Sequence, residues 1–103
     1  MRKDPSDLID QVVDETSFLQ FLGALKDDWD DEQAKESVAP SPPYGPGANG
    51  WENGTIGAFL EAAMAWASDM PAERWAELFG DCATPENTWR RVARMLLAGK
   101  YYE

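Results

Sequence analysis

The chain has 103 residues, which is the size of one domain, and its hydrophobic content of 44%, with five Trp, four Phe and three Tyr, is enough for a buried core. Nine Lys and Arg against nineteen Asp and Glu give a net charge of −10, which opposes binding to the phosphate backbone of a nucleic acid. We therefore expect one folded domain over residues 1–103, with no nucleic-acid partner.

Five helices are predicted, each from a capping residue or proline that is followed by apolar side chains at intervals of three and four residues. No segment alternates polar and apolar residues as a half-buried strand would. The predicted helices cover roughly residues 5–13, 17–29, 54–69, 71–79 and 85–98. The sequence thus predicts an all-α fold, a compact bundle of four to five helices with one long ordered loop.

Within the first third, which holds eleven of the nineteen acidic side chains, residues 27–36 read DDWDDEQAKE. Acids at the C-terminal end of the second helix oppose its dipole, so either the helix frays there or cations from elsewhere approach it, and of these we expect a partly frayed turn. The segment lacks the alternation and central glycine of a calcium loop, which argues against a metal site. A solvated face and a docking surface for a basic protein remain as interpretations. The candidate binding residues are Asp27, Asp28, Asp30, Asp31 and Glu32.

Residues 37–53 form a long loop that contains four prolines. Two large aromatic side chains, Tyr44 and Trp51, are expected to pin this loop to the core. Its Pro40–Pro46 segment also has the spacing of a polyproline II ligand. The last loop residues lead into the third helix, which Asn53 or Thr55 caps.

Aromatic side chains beside a few polar groups are typical of a groove for a small molecule or a peptide. The candidates for such a groove are Tyr44, Trp51, Glu52, Asn53 and Trp66. The alternative is purely structural, because a packed tryptophan and an asparagine cap need no ligand. On the last helix Arg90, Arg91 and Arg94 either pair with acids of this chain or form an anion site.

Several functions are disfavoured by the residue types that the chain lacks. It has no histidine, and its one cysteine, Cys82, has no histidine to activate it. We therefore expect no enzyme activity, no cofactor and no metal. No apolar run approaches the length of a membrane span, and the first ten residues lack the apolar segment of a signal peptide. We expect a cytoplasmic protein without a membrane partner.

The central segment NGWENGTIGAFLEAAMAW, together with SFLQFLGAL before it and TWRRVARMLLAGKYYE after it, resembles a family of small, acidic, uncharacterised bacterial proteins. The family is a domain of unknown function. The resemblance implies a small cytoplasmic domain that is largely helical. It implies no activity and no catalytic residue.

Two functions follow as expectations. The first is a protein-interaction module, of the inhibitor or immunity type, that docks its acidic N-terminal third on a basic partner. The second is a domain that binds a small ligand or peptide at the loop of Tyr44 and Trp51. A homodimer formed through an aromatic face fits either function.

Overall fold

Four α-helices make up most of the computed structural model, which describes residues 3–71 and 85–102. Within these ranges there is no strand, so the predicted all-α bundle is confirmed. The predicted helix at 71–79 lies outside the described residues, apart from Pro71, which is not helical. The helices are α1 (Pro5–Leu8, continued by a 3₁₀ turn at Ile9–Gln11), α2 (Glu15–Val38), α3 (Ile56–Asp69) and α4 (Pro85–Tyr101).

The start of α2 is fixed by a reciprocal pair of side-chain hydrogen bonds. Ser17 N donates to Asp14 Oδ1 over 2.8 Å, and Asp14 N donates to Ser17 Oγ over 3.1 Å. This capping box satisfies two backbone donors that the first turn leaves without helical partners. The N-cap is therefore Asp14, and α2 begins at Glu15, two residues before the predicted start at residue 17.

The far end of α2 corrects a second prediction, because the helix does not fray near Trp29 but continues to Val38. Asp28, Glu32 and Glu36 of α2 accept hydrogen bonds from the loop that follows the helix. These N–H donors offset the negative charge that would otherwise oppose the carbonyl end of the helix. Ala39 N closes the last turn by donating to Lys35 O over 2.9 Å. The loop accordingly begins at residue 39 and ends at Thr55.

The hydrophobic core lies where α1, α2 and α4 meet and extends under the loop. Phe18 packs its ring 5.3 Å from that of Trp89, which joins the first turn of α2 to α4. Apolar burial of this kind supplies most of the stabilisation in a domain of this size. The buried members of this cluster are Ile9, Val12, Phe18, Phe21, Leu25, Trp51 and Ala93.

Helices α3 and α4 form the most extensive helix pair among the described elements. Thr55 caps α3, its Oγ1 accepting from Ala58 N over 3.1 Å. A β-carbon at Gly99 would lie 2.8 Å from the ring of Phe59 and 3.0 Å from its carbonyl oxygen. Glycine at this position lets the two helices approach closely. None of the described helices has both the length and the apolar character that crossing a bilayer requires.

Candidate functional site

Three acidic side chains on one face of α2 hold the loop of residues 39–55. Asp28, Glu32 and Glu36 are spaced four residues apart, so they form one row along the helix. Each accepts hydrogen bonds from groups of the loop. We call these three residues the inner acids. They lie in the segment that the sequence indicated as a solvated or partner-binding face.

Glu36 binds the first part of the loop. Its carboxylate accepts from Ser41 N over 2.6 Å, from Ser41 Oγ over 2.5 Å and from Ala48 N over 2.8 Å. These hydrogen bonds, those from Ser41 above all, hold the pKa of Glu36 below its ordinary value because they favour the charged carboxylate.

Glu32 is buried and binds the second part of the loop. Its Oε1 accepts from Asn49 N over 2.9 Å and from Trp51 N over 3.2 Å. The carboxylate fills the space beside Gly47, where a β-carbon would overlap it. A side chain at position 47 would therefore force the carboxylate of Glu32 to shift.

Asp28 is fully buried and joins three parts of the chain. Its Oδ2 accepts from Trp51 Nε1 over 2.9 Å and from Lys100 Nζ over 2.5 Å. Lys100 is also fully buried, close to the end of α4. Charges are costly to bury unless they are paired and hydrogen-bonded, and this pair meets both conditions. The result is a fixed link between α2, the loop and α4.

Trp51 packs as the sequence predicts, with its side chain buried at the base of the loop. Its ring meets Trp29 edge to face at 5.2 Å and lies 6.0 Å from Phe59. Lys100 Nζ lies 5.6 Å from the centre of the ring, within the range of a cation–π contact. Trp51 is consequently a core residue that fixes the end of the loop.

Tyr44 does not pin the loop, and this prediction is wrong. Gly45 N donates to Pro42 O over 3.2 Å, which makes a tight turn with Tyr44 at its tip and its side chain fully exposed. The inner acids hold the loop through its backbone, so no second aromatic side chain is needed to attach it. The chain turns here and does not run on as an extended polyproline segment.

Asn53 and Glu52 also have roles other than those expected for a groove. Asn53 Nδ2 donates to Gly99 O over 2.9 Å and to Tyr102 O over 2.8 Å, so it binds carbonyl groups at the end of α4 and does not cap α3. Glu52 N donates to Lys100 O over 2.9 Å, while its side chain is exposed. Together these bonds attach the end of the loop to the last turn of α4.

The five candidates for a groove do not come together. Trp51 and Asn53 share a cavity of about 260 Å³ with Trp29, Gly54, Thr55, Ile56 and Phe59. Trp66 lines a different cavity of about 300 Å³, between α3 and α4, with Arg94, Leu97, Ala98, Tyr101 and Tyr102. Neither cavity is lined by Tyr44 or Glu52, so neither of them unites all five candidates.

The five acidic candidates also lie in different environments. Asp28 and Glu32 are buried and accept hydrogen bonds from this chain's own loop, so they are not exposed for a partner in this structure. Asp31 lies 2.9 Å from Lys35 and also accepts from Asn49 Nδ2 over 2.9 Å, which places it against the loop. The remaining two are exposed, Asp30 next to Lys26 and Asp27 beside it on the outer side of α2.

Several residues of this arrangement were not among the candidates, including Glu36, Gly47, Asn49 and Lys100. Asn49 Nδ2 donates to Asp28 O over 3.0 Å, and its Oδ1 accepts from Lys35 Nζ over 2.8 Å. A glycine and an asparagine in a turn-rich loop are a weak signal for such contacts. Lys100 gives no signal, because a lysine in the last turn of a helix is usually solvated at the negative end of the dipole.

The arginines of α4 bind the N-terminal part of the chain. Arg90 Nε donates to Val12 O over 3.2 Å, and Arg94 Nη2 lies 3.2 Å from Asp10 Oδ1. For these two residues the contacts favour pairing within the chain over an anion site. In the described part of the chain no group of three or more His, Cys, Asp or Glu side chains could hold a metal ion.

Comparison with known proteins assigns the chain to a family. The profile of the Family of unknown function (DUF7660) matches residues 14–103, so the chain belongs to this family. This agrees with the resemblance to an uncharacterised domain that the central segment carries. No curated protein and no solved structure matches the chain.

Proposed function

We propose that this member of the DUF7660 family is a protein-interaction module that binds a basic partner. The observation that carries the proposal is the set of acidic side chains that remain exposed in the N-terminal third after the inner acids have been taken up by the loop. These seven side chains are Asp4, Asp7, Asp10, Asp14, Glu15, Asp27 and Asp30. In a chain with a net charge of −10 they give a surface that attracts positive charge.

The exposed acids contribute chiefly to the rate and selectivity of association. Exposed charge pairs add little affinity each, but complementary potentials steer the partner and disfavour surfaces of like charge. This effect is screened at an ionic strength of a few tenths molar, where the Debye length falls to a few ångströms. Binding of the partner should therefore be sensitive to salt.

Tyr44 is the residue that we propose as the main contact on the loop. It is fully exposed at the tip of a turn whose flanks are held by Glu36 and Glu32. Tyrosine is frequent among the residues that dominate binding energies, and its ring also attracts the cations of a basic surface. Because the loop is already ordered, binding does not have to order it.

The test compares matched variants. The charge variant removes three exposed charges by Asp7→Asn, Glu15→Gln and Asp27→Asn. The control variant changes two exposed uncharged positions of the same region, by Gln11→Ala and Gln20→Ala. The wild-type protein is used to isolate a partner from native extract at low salt, and association rates are then measured by surface plasmon resonance. We expect the charge variant to associate several-fold more slowly and the control variant to match wild type. Equal rates for all three proteins would contradict the proposal.

A second candidate function is binding of a small apolar ligand in the cavity that Trp51 and Asn53 share. Its volume of about 260 Å³ and its aromatic walls favour this alternative. Thermal-shift screening against a fragment library tests it, with Ile56→Ala as the variant that alters the cavity wall and Leu60→Ala as the control on the same helix. A ligand should raise the Tm of wild type and of Leu60→Ala more than that of Ile56→Ala. Identical shifts in both variants would count against the cavity.

A further inference from the structure

Helix α3 carries a stripe of three large apolar side chains that remain exposed. Ile56 is 81% exposed, Leu60 57% and Met64 64%, and the four-residue spacing places them in one row about 12 Å long. We call these three residues the α3 stripe. Single exposed apolar side chains are ordinary, whereas a continuous row of them is a feature of surfaces that bind another molecule.

The α3 stripe lies on a side of the helix that α4 leaves uncovered. The packed side of α3 holds Phe59, which contacts Gly99 of α4, together with the buried Ala62 and Ala63. The row from Ile56 to Met64 is offset from these residues around the helix. At its N-terminal end, Ile56 also lines the aromatic cavity of Trp29 and Trp51. The exposed row therefore leads into a recess that can take one large apolar side chain.

The charged side chains of α3 itself are of one sign. The sequence of α3 contains no Lys or Arg, and its Glu61, three residues before Met64, is exposed next to the stripe. Its other acid, Asp69, lies on the opposite side of the helix and accepts from the hydroxyl of Tyr102 over 2.5 Å. Glu52, just before the helix, has an exposed side chain as well. An apolar row with an acidic margin complements a segment that is apolar on one side and basic on the other.

We infer that the α3 stripe binds an amphipathic basic helix of the partner. The apolar side of that helix lies along Ile56, Leu60 and Met64, and its Lys or Arg side chains lie at the acidic margin, as in other helix-in-groove complexes. The positive charge of this segment rests on the proposed function, while its apolar side rests on the stripe itself. A second copy of the chain fits less well, because neither α3 helix offers a Lys or Arg to offset the exposed Glu61 of the other.

The experiment uses the full chain and a synthetic amphipathic peptide with leucine on one face and lysine on the other. A second peptide replaces each lysine with glutamine. The variant Leu60→Gln alters the stripe, and Leu19→Gln is the matched control because Leu19 is also 57% exposed but lies on α2. Circular dichroism confirms that both variants are folded, and binding is measured by isothermal titration calorimetry.

For the lysine peptide we expect Kd to rise about tenfold in Leu60→Gln, the size of effect that losing one buried leucine contact gives, and to stay unchanged in Leu19→Gln. Equal losses in both variants, or no loss in either, would overturn the stripe as the binding surface. A dimer in light scattering that Leu60→Gln abolishes would overturn it in favour of a second copy.

The glutamine peptide separates this inference from the proposed function on which it rests. We expect it to bind more weakly than the lysine peptide, with less dependence on salt. If both peptides bind equally and Leu60→Gln weakens both, the basic partner is excluded while the apolar surface is retained. If the lysine peptide binds better but Leu60→Gln has no effect, the stripe is excluded while the basic partner is retained.

Discussion

The two sides of α2 carry the same kind of residue for opposite purposes. On the inner side, Asp28, Glu32 and Glu36 bind the loop, Lys100 and the indole of Trp51. On the outer side, Asp27 and Asp30 are exposed. Neighbours in sequence differ by about 100° around the helix axis, so Asp27 and Asp28 lie on different sides of α2 although they are adjacent in the chain.

An acidic segment can thus support the fold by accepting hydrogen bonds from a loop. The backbone N–H groups of a packed loop need hydrogen-bond acceptors. A row of carboxylates on one face of a helix accepts from several of them. Of the outer acids, Asp30 pairs with the exposed Lys26 and Asp27 is exposed, so their charge stays at the surface and acts at long range. Inner acids should therefore control stability, while outer acids should control association.

The largest expected effect is that of Asp28→Asn. Removing one charge of a buried pair leaves Lys100 without its counter-ion, and we expect the free energy of unfolding to fall by about 3–5 kcal/mol. The neighbouring change Asp27→Asn, on the outer side, should stay within about 0.5 kcal/mol of wild type. Urea unfolding followed by tryptophan fluorescence measures both. Equal stabilities of the two variants would remove the distinction between the two sides of α2.

A smaller loss is expected for Gly47→Ala. The added methyl group overlaps the carboxylate of Glu32, which must shift away from Asn49 N and Trp51 N, at a cost of about 1–3 kcal/mol. Gly54→Ala is the control, since a β-carbon there meets nothing within 4 Å. Thermal unfolding of the two variants gives the comparison. If Gly54→Ala destabilises as much as Gly47→Ala, the contact with Glu32 is not the cause.

Asn53→Ala tests the attachment of the loop to α4 independently of the inner acids. Loss of the two bonds to Gly99 O and Tyr102 O should cost about 1–2 kcal/mol of unfolding free energy. Asn53→Asp keeps the size of the side chain but replaces the donating group, so it should not restore the loss. Chemical unfolding of both variants is the measurement. Wild-type stability of Asn53→Asp would show that the amide donor is dispensable.

The smallest effect is a change in the pH dependence of stability through Glu36. The hydrogen bonds from Ser41 and Ala48 depress the pKa of Glu36 in the folded chain, so its contribution is present above the unfolded pKa and is lost as pH falls through the folded value. Glu36→Gln should flatten the decline of unfolding free energy on acidification. Glu15→Gln, which removes an exposed carboxylate of α2, is the control. Urea midpoints measured between about pH 7 and pH 3 test this prediction. The same decrease of the midpoint on acidification in both variants would contradict it.

Much of the fold could be predicted because its signals are local. A helix start is indicated by a few neighbouring residues, such as Asp4 before Pro5 or Thr55 before the apolar residues of α3. The spacing of apolar residues is likewise read over a short stretch of the chain. The packing of Trp51 was predictable from its size and apolar ring. The end of α2 was not, because the charges that oppose its dipole are satisfied by donors from a loop that follows it.

The grouping of the candidate residues was predicted only in part, because it also depends on contacts between residues that are far apart in the sequence. Trp51 and Asn53 do share a cavity, but Tyr44 and Trp66 lie elsewhere, and Lys100 had no signal at all. Which carboxylate is buried depends on a lysine 72 residues away in sequence, at the end of another helix. Periodicity indicates which residues share a helix face but not what that face will meet.

The sequence by itself determined an acidic, all-α domain, the positions of most helix starts and the length of the loop region, since composition, caps and apolar spacing act over short distances. The tertiary structure decided that half of an acidic run became the internal support of that loop. It also decided that Tyr44 and the α3 stripe were left exposed. Both outcomes follow from packing, because only the assembled helices bring donors, cations and apolar surfaces within reach of each other.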